Sequence, residues 1–172
     1  MLFCFAQRIF TVKAKPIKRM FLSMKNNSTK NKIIALSLAL AIAPSISYAR
    51  DDVGSYSVAD ALSTEHAKNK LGSNVAFYFG DQAYSEPVKI IGEFSANKKT
   101  NAFNKSDIEA CHWVFLSAMI ALKERAVKEG GNAVVEIKSN YKNNLTSSND
   151  TFQCGAGNIV AGVALTGKVV TL

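Results

Sequence analysis

The run Ser106–Gly131, SDIEACHWVFLSAMIALKERAVKEGG, followed by Asn132–Tyr141, NAVVEIKSNY, decides the fold. Ser106 with Glu109 three residues later forms a capping box, in which each side chain satisfies a backbone N–H that the first helical turn leaves open. Asp107 and Glu109 suit the positive end of the helix dipole, and Lys123, Arg125 and Lys128 suit the negative end. Gly130 stands where a left-handed residue closes a helix. Ile108, Cys111, Phe115, Met119, Leu122 and Ala126 recur at three- and four-residue steps and make one apolar stripe. Trp113, Leu116 and Ile120 make a second, turned from the first by roughly 140° at about 100° per residue. One sheet covers one stripe. The second is either covered by the segment 58–71 or serves as a contact surface. Trp113, Leu116 and Ile120 are therefore the candidate interaction surface, for an envelope protein partner or for a homodimer.

In the strand that follows, Ala133, Val135, Ile137 and Tyr141 alternate with Glu136, Lys138 and Asn140, the period-two pattern of a half-buried strand. A strand of this kind after a helix of about seven turns points to an α+β fold. The expected architecture has two layers, with one long helix packed on a mainly antiparallel sheet of about four strands, and a short N-terminal helix.

Working outward, residues 50–57 read as a flexible or partly docked start and Val58–Leu71 as a short helix, capped by Ser57 and ended by Gly72. Val75–Phe79 and Val88–Asn97 read as strands, with Gly92 marking a candidate bulge in the second. The polar run NKKTNAFNK, residues 97–105, reads as a connection, in which Lys98 and Lys99 are a solvated turn or, less simply, an anion contact. Downstream, KNNLTSSNDTFQ (residues 142–153) reads as a long mobile loop that contains a glycosylation-type triplet at Asn149. Ile159–Leu172, apolar on both alternating faces, reads as a buried central strand.

The formal charge of +8 suggests nucleic acid or a membrane surface, but its distribution argues otherwise. Eight of the 21 basic residues and none of the 13 acidic ones precede Arg50, so from Arg50 onward the chain carries 13 of each sign. The front piece has the three parts of a secretory signal. Lys25, Lys30 and Lys32 precede the apolar run Ile33–Ala43, which is shorter than the ~20 residues that span a bilayer. Ser47-Tyr48-Ala49 offers small residues to a signal peptidase, so cleavage between Ala49 and Arg50 is expected. The alternative is an uncleaved anchor. The signal is complete from Met24, so Met20 and Met24 are candidate starts. Residues 50–172 then form a single periplasmic domain, with no nucleic-acid partner and no stable membrane anchor. Cys4 leaves with the leader, and Cys111 and Cys154 remain. An even count in an exported chain reads as a disulfide. A redox or metal-binding pair is the alternative, although the wide spacing lacks a CxxC motif.

No catalytic, cofactor-binding or metal-binding residues are expected. His66 lies in a polar helix and His112 beside Trp113, neither with a second ligand at metal spacing. Gly155-Ala156-Gly157 leads into a β-branched run rather than a helix, and no GxSxG, HExxH or Walker A pattern occurs. The reading is a non-catalytic binding, sensing or interaction module. A small-ligand or metal-binding periplasmic protein is the alternative, and an enzyme ranks last.

The segments GGNAVVEIKSNY and AGVALTGKVV resemble a family of small bacterial domains that includes the YbjQ-type heavy-metal-binding domains and the RcsF-like envelope stress sensors. The resemblance covers residues 106–172. It implies a compact sheet with one long helix across it, in a secreted member that has no lipobox cysteine and a single cysteine pair.

Overall fold

The computed structural model describes Arg50 and residues 52–172. The expected leader 1–49, with Ala49 on one side of its cut, lies outside them. The order is β1 (Asp52–Ser57), α1 (Val58–Ser63), α2 (Glu65–Leu71), β2 (Ala76–Phe79), β3 (Lys89–Asn101), α3 (Asp107–Lys128), β4 (Ala133–Tyr141), β5 (Asn144–Thr146), β6 (Thr151–Ala156) and β7 (Val160–Thr171).

Helix α3 forms as its sequence directs. The Ser106 hydroxyl accepts from the Glu109 N–H at 3.1 Å. At the other end Gly130 adopts φ +78°, and the Gly131 N–H reaches back to the Ala126 carbonyl at 2.8 Å, the six-to-one bond that closes a helix through a left-handed residue. Gly131 has no room for a side chain, because a Cβ there would lie 2.5 Å from Val169 Cγ1. The helix therefore turns sharply onto the sheet.

The expected two layers with about four strands give way to a larger object. Seven strands form one mixed sheet, ordered β1-β6-β7-β4-β2, with β3 also paired to β7 and β5 to β4. Three helices accompany it among the described residues, and the overall class is sheet-rich α+β. Strand β7 pairs antiparallel with β3 along its whole length, with β4 beside its second half and with β6 at its start. Strand β2 runs parallel to β4. The extra strands come from segments read as loops. Residues 52–57 pair with β6, and the polar run after Tyr141 contains β5 and β6. Lys142 and Asn143, both at positive φ, make the tight turn between β4 and β5 that matches the twist of paired strands.

Two further boundaries shift. The expected helix 58–71 breaks at Thr64, which is extended at φ −68° and ψ 144°. Its hydroxyl caps the second piece by accepting from the Ala67 N–H. Strand β3 runs on to Asn101, taking in Lys98 and Lys99.

Candidate functional site

The helix-facing side of the sheet converges on a seam between α3 and β6. Phe152, Cys154 and Ala156 alternate towards the helix from β6, and Cys111 and Phe115, one turn apart, meet them from α3. Cys111 and Cys154 are joined by a disulfide, with Cα atoms 5.9 Å apart across 43 residues of chain. Beside it the rings of Phe115 and Phe152 stack with centroids 4.0 Å apart. All four residues are buried. Closing a loop of this length contributes about 4 kcal/mol in the chain-entropy account. His112 tilts against Phe152 at the margin of this seam. Cys111 and Cys154 thus have the structural role read for them.

The second stripe divides. Leu116 is buried and Ile120 half-buried, in the core cluster that also takes in Val58 and Ala61 of α1 and Ala67 and Leu71 of α2. The Lys123 ammonium also donates to the Lys70 carbonyl at 3.1 Å. Trp113 stays 52% exposed. Its indole lies parallel to the His66 ring, with centroids 5.2 Å apart and an interplanar angle of 8°. Of the three expected surface residues, Trp113 alone keeps a broad face to solvent, with an imidazole already on one side of it. Arg50, the residue expected to follow the cut, is ion-paired with Asp52 and with Asp107 in the first turn of α3.

The opposite side of the sheet carries a feature that the alternation in β4 concealed. Between Val135 and Lys138 the register slips, so Glu136 and Ile137 together oppose Gly167. Glu136 takes φ +50°, the left-handed conformation at the first position of such a bulge, where glycine is usual. The slip reverses the faces. Ala133 and Val135 point outward and pack with Val170, Tyr78, Tyr84 and Leu172, while Val134 and Ile137 join the main core. The expected common face of Ala133, Val135 and Ile137 is therefore split.

Because of the bulge, Glu136 projects into a polar row. Its carboxylate takes a hydrogen bond from Lys168 at 2.7 Å and one from the Tyr84 hydroxyl at 3.4 Å, with Lys138 at 3.7 Å. The row continues where Thr166 donates to Glu93 at 2.9 Å and Ser95 to Thr166 at 3.3 Å. The hydrogen bond from Lys168, more than its charge, lowers the Glu136 pKa below the usual carboxylate value, and burial opposes it. The same bond raises the pKa of Lys168. A carboxylate held ionised in this way is a poor proton carrier near neutrality, and the row reads as an ionic ladder. A left-handed Glu has no mark in sequence, so reasoning from alternation missed it.

Other residues find structural uses. The glycines of Gly155-Ala156-Gly157 serve packing, since a Cβ at Gly155 would fall 1.9 Å from the Tyr141 hydroxyl. The Asn149 side-chain oxygen Oδ1 accepts from the Asp81 N–H at 2.9 Å, latching a turn. Among the described residues no group of three His, Cys, Asp or Glu is placed to hold a metal ion, and no helix is long and apolar enough to cross a membrane. No family model and no curated protein matches the chain.

Proposed function

We propose that this protein is an exported, non-catalytic interaction module of the bacterial cell envelope, acting in the periplasm through protein contacts. The observation that carries the reading is the buried Cys111–Cys154 bond. Disulfides of this kind persist in oxidising compartments, and the basic, apolar leader supplies the route. The balanced charge from Arg50 onward gives no field for a polyanion to follow. The contact surface is Trp113, a half-exposed aromatic stacked on His66, of the residue type enriched at interfaces. The layout of helix, small-residue turn and AVV strand that resembles the RcsF-like domains agrees with a sensing or adaptor role.

Mass measurement of the protein recovered from the periplasm tests export. The expected mass lacks residues 1–49 and two thiol hydrogens, whereas a mass that includes the leader, or two free thiols, overturns the assignment. A photoreactive residue in place of Trp113 tests the surface. An adduct with an envelope protein is expected, and no adduct together with a small molecule retained through purification would favour a ligand binder instead.

A further inference from the structure

We propose that β3 is a self-association edge, and that two copies of this chain pair antiparallel through it about a two-fold axis at Ala96. The inference goes beyond the export reading and does not depend on it.

Strand β3 is 13 residues long. One side pairs with β7 from Lys89 to Asn101 apart from a bulge at Ile91, and among the described residues no strand pairs with the other. Every second residue of such a strand turns its N–H and C=O outward, a ready template for another strand. Short edge strands are the usual protection, and this one is long.

The occupant follows from the charges. Cross-strand partners share a face, so Glu93 (opposite Lys168) and Lys99 (opposite Gly162) both project from the side of the sheet away from α3. Lys99 makes no ion pair among the described residues, and the segment 94–106 contains no acid. In an antiparallel self-pairing centred on Ala96, Glu93 of each copy lies directly opposite Lys99 of the other, so the complementarity occurs twice. Ser95 faces Asn97, and Phe94 faces the aliphatic stem of Lys98. Moving the centre to Ser95 or Asn97 sets Glu93 against asparagine, and moving it to Phe94 sets Glu93 against Ser95, so the charge pairing is lost in each. Opposite charges directly across an antiparallel pair stabilise it and like charges weaken it.

The apolar surface agrees with the same register. At the start of β3, Val88 and Ile90 are 83% and 67% exposed. At its far end Phe103 and Ile159 are 61% and 67% exposed. Phe103 and Ile159 line an open groove of about 530 Å³ together with Lys99 and Val160. The two-fold carries Ile90 of one copy alongside this groove on the other, at both ends of the interface. An isologous contact of this form closes on itself. The two sheets become continuous, with both copies of α3 on one side.

Sedimentation velocity over a wide concentration range tests the proposal on the purified, disulfide-bonded protein. A reversible dimer is expected. Glu93→Lys and Lys99→Glu each turn two attractive pairs into two repulsive ones, and each should weaken the dimer about tenfold. The double exchange Glu93→Lys/Lys99→Glu restores opposite charges and should recover the wild-type association. Glu93 also accepts a bond from Thr166. If its reversal prevents folding, Lys99→Glu alone carries the test, with circular dichroism confirming its fold. A monomer at every concentration overturns the proposal, as does a dimer indifferent to Lys99→Glu or a folded double variant that stays weakened.

Discussion

On the helix side of the sheet, Phe115, Phe152 and the Cys111–Cys154 bond close a seam from which water is excluded. On the other side Glu136, Lys168 and Lys138 make a partly exposed ionic row that continues to the buried hydroxyl of Thr166. Both rows are built on neighbouring strands of one sheet, yet their energetics differ in kind. The seam gains from burial and dispersion, which do not titrate and are not screened by ions. The outer row gains from exposed charges, which water and ions screen. The seam face supplies the larger buried core, and the outer face adds the small cluster of Ala133, Val135 and Val170 beside its ionic row.

The largest expected effect lies in the seam. Phe152→Ala should cost about 3–5 kcal/mol, the usual range for deleting a buried phenyl ring. Replacing Cys111 and Cys154 together by Ala should cost about 4 kcal/mol. Equilibrium unfolding in denaturant measures both. If either cost falls below that of a substitution in the outer row, the contrast between the faces fails.

A smaller effect isolates the backbone of the outer face. Glu136→Ala and Glu136→Gly lose the same carboxylate, but only glycine is at ease at φ +50°. The glycine variant should therefore be more stable than the alanine variant by about 1 kcal/mol. Equal stabilities would mean that the bulge relaxes when the ion pair is removed.

The smallest effect is one of pH. The folded Glu136 pKa lies below its ordinary value of 4.5, so the folded state binds that proton less readily than the unfolded chain does. Its contribution is present above pH 4.5 and is lost as pH falls through the lowered value. Lys168 mirrors it. With a folded pKa above 10.5, it contributes below that pH and loses its contribution as pH rises through the raised value. In Glu136→Gln the acid limb of the stability profile should flatten while the seam is untouched. An unchanged acid limb would show that the loss arises elsewhere.

The helix half of the seam could be read from residues alone. Its strand half could not, since Phe152 of β6 falls in the polar run 142–153 that reads as a loop, and little of the outer face could be read. Helix α3 advertises itself through Ser106, Glu109 and the Cys111–Phe115–Met119 stripe, and β7 through its two apolar faces. Cys111 and Cys154 are paired by simple arithmetic. Strands β1, β5 and the end of β3 were missed for a common reason. They lie at edges and carry few apolar residues, with Tyr56 of β1 packing on the core, so neither alternation nor an apolar run marks them. The break at Thr64 was hidden because its flanks are helical on both sides. At Glu136 the sequence misleads, since an ordinary alternating strand carries a bulge that exchanges its two faces. The surface read at Trp113, Leu116 and Ile120 shrank to Trp113 because α1 and α2 pack over the rest of the stripe.

Strand β7 comes later in the chain than β3, β4 and β6, all of which pair with it. Whether the chain emerges from a ribosome or from a translocation pore, these partners must wait with open backbones until residues 160–171 arrive. The sheet is then completed in a late zippering event with widely separated contacts, a slow closure that leaves time for holding chaperones to act.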